Sequence, residues 1–511
     1  MILINSSSKN ALKIFQPFIP IFIPVGIGCL SSALENEGID AKIIDEQTEM
    51  DVLGKINFYV KEMNPPYIFG FSVLTASYKN AINLSETLKK IYPDCIICFG
   101  GPHPSAIPEE VLKNKYVDVV IRGEGENILP EFYRRIKAGQ DYYDIDGISY
   151  KQDDKIIHNN PSFKVIDIDS IPAFPYHKFE SKKYDLGFVI SSRGCPYKCI
   201  FCSNRVTTGQ KYRYRKASAI IEDLNLLYNK YNQKFILFLD DNLLVNKNRI
   251  YELINEIKKE GLDKKMTFNF QARGDNVSLE LLTDMFEAGF RSVFFGMETA
   301  SEEIMKIINK GETVEQCKKA AIMAKDIGFH VSATFIFGLP GDTHQDRMDS
   351  VILSNKLKLD MVRFNNATPY PGTALYELAK KENRLNIVGD YDNFLSVSTF
   401  IENPFKPIPF SYVPQGNLEE DIRNDILFSY LIFYLNYDRL KSIFANPDKG
   451  VGWFNAGEKI LELIKKLPSI FILAILLTIK FGKLLFNIVF QRNTSISRIE
   501  FFRILTKRYG K

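Results

Sequence analysis

The sequence predicts an α/β chain made of two successive parallel sheets and a mainly helical C-terminal region. Three observations predict it. Short apolar runs alternate with helical stretches over residues 1–140, the alternation restarts at Gly187, and beyond about residue 415 the chain turns helical, aromatic and finally basic. Short apolar strands separated by helices imply a parallel sheet covered on both faces. A length of 511 residues suits roughly two to four domains. The divisions read as 1–140, a connector over 141–184, a second unit over 185–405, and a C-terminal region over 406–511. Hydrophobic content of 45% is ordinary for a globular protein, and a net charge of +4 gives no nucleic-acid signal.

In the first unit the strands are Met1–Ile4, Ala41–Ile44, Ile68–Ser72, Cys95–Gly100 and Val117–Ile121, with helices at Gly26–Glu37, Lys79–Ile91 and Ile128–Lys137. Such sheets bind ligands at the carboxyl ends of their strands. Three loops fall there: Ser72-Val73-Leu74-Thr75-Ala76, Gly100-Gly101-Pro102-His103-Pro104 and Arg122-Gly123-Glu124-Gly125-Glu126. Glycines let a backbone approach a ligand closely. Cys95 and Cys98 form C-x-x-C, but positions three apart on a strand face opposite sides. They read as core residues, as do Cys29 and Cys317. The connector carries a small hairpin over Asp146–Lys151 and Lys155–His158, then extended chain at Ile171-Pro172-Ala173-Phe174-Pro175.

The second unit has strands at Gly187–Ser191, Phe235–Leu239, Thr267–Gln271, Ser292–Phe295, His330–Phe337 and Met361–Asn365. Helices at Ala217–Tyr231, Lys247–Lys259, Leu279–Ala288, Val314–Ile327 and His344–Lys358 separate them, as in a partial (β/α)6 barrel of the TIM type. Chemistry on a barrel lies at the carboxyl ends of the strands. After the first strand comes Arg193-Gly194-Cys195-Pro196-Tyr197-Lys198-Cys199-Ile200-Phe201-Cys202. Three thiolates at C-x-x-x-C-x-x-C spacing can hold three irons of a [4Fe–4S] cluster and leave the fourth open. A structural zinc site would want a second, separated pair of ligands, which is missing. A disulfide framework fits neither seven cysteines nor the absence of a signal peptide.

This cysteine run resembles the radical S-adenosylmethionine (radical SAM) superfamily, in which SAM caps the open iron and is split to a 5′-deoxyadenosyl radical. The three glycine-bearing loops, in their order, are similar to the flavodoxin-like or Rossmann-like cobalamin (B12)-binding domain that precedes many such enzymes. Together the resemblances span about residues 1–405. They imply corrin contacts at Ser72, Leu74, Thr75, Gly100, Gly101, His103, Arg122, Gly123, Glu124, Gly125 and Glu126. The family's Asp-x-His-x-x-Gly cobalt-ligating motif is absent, so His103 is either a cobalt ligand or a turn histidine bonded to corrin side chains or backbone, the second at least as well supported. The barrel's strand ends imply SAM contacts: Asp240 or Asp241 to the amino group, Arg273 to the carboxylate, Glu298 to the ribose hydroxyls, Gly338 beside the adenine, and Phe201 packed near it. As single residues, these also fit caps, ion pairs and first-turn acids.

The resemblance implies an enzyme that abstracts hydrogen from an unactivated carbon, followed by methyl transfer from methylcobalamin. Radical cyclisation, as in the oxygen-independent tetrapyrrole cyclases, is the alternative, and a non-catalytic corrinoid or cluster sensor is the rival from another class. A small-molecule substrate, a lipid or a tetrapyrrole, is expected, with a low-potential donor such as ferredoxin or flavodoxin, no nucleic acid, and a cytoplasmic setting. Residues 417–444 read as a helix packed on the barrel mouth. Ser469–Phe490 is apolar but interrupted by Lys480, Lys483 and Asn487, and every charged residue from Lys480 to Lys511 except Glu500 is basic. That segment is too interrupted to favour a span; peripheral contact with the inner face of an anionic membrane competes with burial against the domain. Cys195→Ala, Cys199→Ala or Cys202→Ala is expected to abolish iron loading and SAM cleavage, measured by iron content and 5′-deoxyadenosine release.

Overall fold

The computed structural model describes residues 1–8, 21, 23–153, 155–162, 167–397, 399, 402–434, 460–492 and 494–507. In the first sheet, β1 (Ile2–Asn5), β2 (Lys42–Asp45), β3 (Ile68–Ser72), β4 (Ile96–Gly100) and β5 (Val119–Ile121) lie parallel in the order β2-β1-β3-β4-β5. This is the flavodoxin-like strand order. Alternate residues supply two cores, Ile2, Ile4, Phe69 and Phe71 on one face and Met1, Leu3 and Ile68 on the other. Cys95 and Cys98 fall in different cores, both buried, as the strand period requires.

The connector hairpin, β6 (Ile148–Gln152) and β7 (Lys155–His158), continues this sheet antiparallel to β5. Arg122 makes the join. Its backbone N–H donates to the Gly147 carbonyl at 2.9 Å, and its guanidinium donates to the carbonyls of Ile148 and Asn159.

The second sheet holds β8 (Phe188–Val189), β11 (Phe235–Phe238), β12 (Thr267–Ala272), β13 (Phe290–Glu298), β14 (His330–Phe337) and β15 (Met361–Asn366), all parallel and in chain order. It is an open, six-stranded (β/α) barrel. The first strand is shorter than expected, because the chain leaves it for an antiparallel ribbon of β9 (Ser192–Arg193) and β10 (Arg213–Tyr214). The cysteines lie in the loop between the two arms of that ribbon.

An open barrel leaves β15 as an edge, and an edge strand exposes unpaired backbone groups. The helix Glu419–Tyr434 covers it. Tyr430 Oη accepts from the Phe364 N–H and Tyr434 Oη from the Val362 N–H, both at 3.2 Å, and Tyr434 also donates to the Val362 carbonyl at 2.8 Å. The helix expected on the barrel mouth therefore lies mostly along the barrel edge, with Ile422 reaching the mouth at Gly338. Residues 435–444 of that expectation lie outside the described residues.

Two more helices follow, Ile460–Phe490 and Arg498–Lys507. Among the described residues no helix is long and apolar enough to cross a membrane. Lys480 turns inward and donates to the Thr399 carbonyl at 2.8 Å. The last helix docks through Glu500, which meets His344 Nε2 at 2.9 Å, while His344 Nδ1 meets Asp425 at 2.9 Å. Ser495 Oγ also reaches His344, and Arg347 Nε donates to the same Asp425 at 2.6 Å.

Burial alone would lower the His344 pKa, but its hydrogen bonds to Asp425 and Glu500 outweigh that and raise it to about 9. A raised pKa in the folded state adds stability that is complete below the unfolded value of about 6.5 and fades as pH rises through about 9. The melting temperature of the wild type is expected to fall between pH 6.5 and 9.5 by more than that of His344→Gln in paired thermal-unfolding scans.

Candidate active site between the two sheets

The cysteine loop is held from several sides. The Ile200 N–H donates to the Ile308 carbonyl at 3.0 Å, and the Ile200 carbonyl accepts from the Leu375 N–H at 2.9 Å. Gly194 begins the loop at φ +83°, and a Cβ there would lie 2.3 Å from the Lys211 carbonyl oxygen. Only glycine fits that crossing of the two ribbon arms. Within the loop, the Tyr197 ring carries the Arg273 guanidinium 3.6 Å from its centroid. The Tyr197 hydroxyl accepts from Asn276 Nδ2 at 2.8 Å, and Asn242 donates to Asn276 at 2.6 Å. The ends of β11 and β12 thus grip the middle of the loop.

Cys195, Cys199 and Cys202 are half-buried free thiols. Burial raises all three thiol pKa values, that of Cys202 to about 11. Iron loading must therefore displace protons from them. Among the described residues no three Cys, His, Asp or Glu side chains are arranged around one metal ion. A cluster with three protein-held irons takes one thiolate per iron. The donor set fits a cluster with three protein ligands.

Cys199 and Cys202 border a cavity of about 270 Å³ that Arg205, Gln210, Gly372 and Thr373 also line. The first domain closes against this region. A Cβ on Gly372 would lie 2.8 Å from Val206 Cγ2 and 3.0 Å from Ala106 Cβ, so the helix Pro102–Ala106 packs directly on the segment after the cysteines. Gly123 lies against the Thr207 carbonyl and donates its N–H to Ser105 Oγ at 3.0 Å. The carboxyl ends of the two sheets face each other.

Buried ion pairs lock that arrangement. Glu124 takes Arg213 in a two-pronged pair at 2.6 and 2.9 Å and also Arg193 at 3.2 Å, while Arg193 meets Glu126 at 2.7 Å. Arg193 lies two residues before Cys195. Glu124 and Glu126, expected to touch the corrin, are instead committed to the cluster-loop ribbon. Arg122, also expected there, holds the hairpin.

His103 is likewise withdrawn. It is buried between Tyr78 and Tyr391, with ring centroids 4.4 and 4.8 Å away, and its Nδ1 lies 3.3 Å from Thr75 Oγ1. Its Nε2 has no hydrogen-bond partner, and burial pushes its pKa down to about 3, so the ring is neutral. The expected contacts that remain open at the strand ends are Ser72, the exposed side chain of Leu74, and the backbone of Gly100, Gly101, Gly123 and Gly125.

On the barrel side, Asp240 is fully buried and accepts from Ser191 Oγ at 2.8 Å and from Ser192, with Arg249 at 3.8 Å. It supports the ribbon. Arg273 pairs with both carboxylate oxygens of Asp275, at 3.0 and 2.8 Å, and stacks on Tyr197; its charge is spent on the loop rather than on a ligand. Gly338 lies under Ile422, and its N–H donates to Asp342 at 2.6 Å. Phe201 packs on the barrel core.

Asp241 and Glu298 keep capacity. Asp241 is exposed as a residue, but its carboxyl end accepts from Asn204 at 2.6 Å. Desolvation of that end, then the charge of Asp240, push its pKa up to about 6. Glu298 sits at φ +61° with Oε1 on Lys310 Nζ at 2.9 Å, and its buried Oε2 has no partner. Gly296 makes room for this pair, since a Cβ there would lie 2.4 Å from Glu298 Oε1. Tyr197, Asn276, Lys310 and Arg193 were not singled out by sequence reasoning. Tyr197 and Arg193 stand inside the cysteine run, which is the signal that could have found them.

Comparison with known proteins agrees with this geometry. The radical SAM superfamily model matches residues 189–353, and the B12-binding domain model matches residues 20–133. An uncharacterized methyltransferase of Pyrococcus horikoshii is 33% identical over 368 residues, 71% of this chain and 79% of that protein. An anaerobic magnesium-protoporphyrin IX monomethyl ester cyclase of Cereibacter sphaeroides is 24% identical over 446 residues, 84% of this chain and 69% of that protein. The solved structure of the cobalamin-dependent S-adenosylmethionine radical enzyme OxsB with aqua-cobalamin bound superposes with a TM-score of 0.68 at 18% identity, covering 99% of this chain and 83% of that one. The chain belongs to the radical SAM superfamily, with an N-terminal B12-binding domain.

Removing one partner of a buried ion pair strands the other. Glu124→Leu is expected to cost roughly 3–5 kcal/mol in denaturant unfolding. Adding Arg213→Met to that variant should recover part of the loss; full additivity of the two substitutions would show that the pair carries no coupling.

Proposed function

We propose that the protein is a cobalamin-dependent radical SAM methyltransferase that places a methyl group on an unactivated carbon of a small molecule. The observation that carries this reading is the meeting of the two sheets: Gly123 of the first domain lies against Thr207, and Ala106 lies against Gly372, which lines the cavity that Cys199 and Cys202 border. When bound, the cluster and SAM supply a 5′-deoxyadenosyl radical, and the corrin supplies the methyl group.

The chain's own residues do the holding and shielding. Cys195, Cys199 and Cys202 grip the cluster and leave one iron for SAM. Glu298 Oε2 is the acceptor we assign to a ribose hydroxyl, since a buried carboxylate oxygen without a partner is costly until one arrives. Lys310 Nζ holds the other oxygen, Oε1, at 2.9 Å. Asp241 is assigned to the SAM amino group, exchanging its bond from Asn204. Leu74 and the glycine backbones of Gly100, Gly101, Gly123 and Gly125 form the corrin cradle, with His103 left out of the cobalt's coordination. The closed interface orients the reactants and excludes water from a reactive radical. A ferredoxin or flavodoxin class of protein is the electron donor we assign, and a cytoplasmic setting suits an oxygen-sensitive cluster and free thiols.

The likeness to the cyclase over most of the chain favours radical cyclisation as the second reading. The two are separated by their by-products. Protein reconstituted anaerobically with iron, sulfide and cobalamin, then given SAM, reductant and a cell extract of small molecules, is expected to release 5′-deoxyadenosine and S-adenosylhomocysteine together. Release of 5′-deoxyadenosine with no S-adenosylhomocysteine would reject methyl transfer in favour of cyclisation.

A further inference from the structure

The helix Ile460–Phe490 is amphipathic in the reverse sense. At 100° per residue, Phe471, Ile475, Phe486, Val489 and Phe490 fall on one side, while Lys480, Leu484, Asn487 and Ile488 fall on the other. A helix of a globular protein turns its apolar stripe to the core and its polar face to water. Here the side with the lysine and the asparagine faces the protein: Lys480, Leu484, Asn487 and Ile488 are buried. Phe471 is 68% exposed, Phe486 50% and Phe490 55%. The exposed stripe runs over about 28 Å of helix.

The next helix extends this surface. Ile499, 82% exposed, and Phe502 stand outward with Arg498 and Arg503, while Ile504 and Glu500 turn inward. Glu500 is the sole acid between Lys480 and Lys507; it is buried, meeting His344 at 2.9 Å and Arg503 at 3.8 Å. The outward charges are therefore of one sign: Lys483, Arg492, Arg498 and Arg503. Exposed aromatics beside cations, with no exposed acid among the described side chains from Phe471 to Ile504, match a surface that is apolar within and anionic at its rim.

We propose that these two helices dock the enzyme on an anionic lipid bilayer, lying in the plane of the interface rather than crossing it. Among the described residues no helix is long and apolar enough to cross. A second copy of the chain fits worse, because a two-fold contact would bring the same arginines of both copies together with no carboxylate between them. An interfacial helix gains from burying its apolar face among acyl chains and from basic residues near anionic headgroups.

The test uses the full-length reconstituted protein and sedimentation with vesicles. Wild type is expected to partition onto phosphatidylcholine vesicles containing 30% phosphatidylglycerol at least about tenfold better than onto pure phosphatidylcholine, and to be released by high salt. Phe486→Ser with Phe490→Ser should lower binding to both vesicle types. Arg498→Gln with Arg503→Gln should lower binding to the anionic vesicles alone. SAM cleavage should stay unchanged in both variants, which shows that they fold. Equal partition onto the two vesicle types, or no sedimentation with either, would overturn the proposal. So would a wild-type dimer that Phe486→Ser with Phe490→Ser converts to monomer, since the occupant would then be a second copy.

Discussion

The buried contact of Glu124 and Glu126 with Arg193 and Arg213 is the constraint on which the rest of the site depends. Two sheets that each present a ligand edge could pack in many ways. Here four charges withdrawn from water have to meet, and a misaligned interface would leave them unpaired in a poorly solvated layer. Such pairs add little net stability over apolar packing, but they penalise every other arrangement heavily. The penalty falls at the right place, because Arg193 sits on the ribbon strand that leads straight into the cysteines.

The barrel holds the same loop from the other side. Arg273 over Tyr197, the Asn242–Asn276 pair and the backbone bonds of Ile200 fix its middle and its end. Three thiols are thus presented by a loop whose freedom has been removed before any iron arrives. A site preorganised in this way places its reactive atoms without further ordering. It also explains why so many polar groups near the cluster contact protein rather than open space: their work is to hold the loop.

Much of this was legible in the sequence, and the parts that were not have a common cause. The two parallel sheets, the open barrel and the placing of the cysteines follow from apolar runs, helix spacing and strand-end logic. The division of Cys95 and Cys98 between two cores follows from strand period alone. Arg122, Glu124 and Glu126 were read as ligand contacts because they lie on a glycine-rich loop at a strand end. Their protein partners lie in the connector hairpin or on the far domain, and no local pattern reports which surface a domain will meet. Asp240, Arg273 and Gly338 show the same limit: Ser191, Tyr197 and Ile422 are remote from them in sequence and reach them only through the fold. The reversed helix was half legible. Lys480, Lys483 and Asn487 interrupt its apolar run, but that Lys480 and Asn487 turn inward while Lys483 stays exposed is decided by Thr399 and the surrounding packing.

The cysteine loop and the glycine loops of the first domain meet across the contact between the two sheets, and on that contact the proposed chemistry rests. Electron paramagnetic resonance tests it most directly, on protein carrying both a reduced cluster and cob(II)alamin. Two paramagnets held across this interface should show resolved spin–spin coupling that weakens when Glu124 and Glu126 are replaced by glutamine. Two independent spectra, each identical to that of protein loaded with one centre alone, would contradict the account.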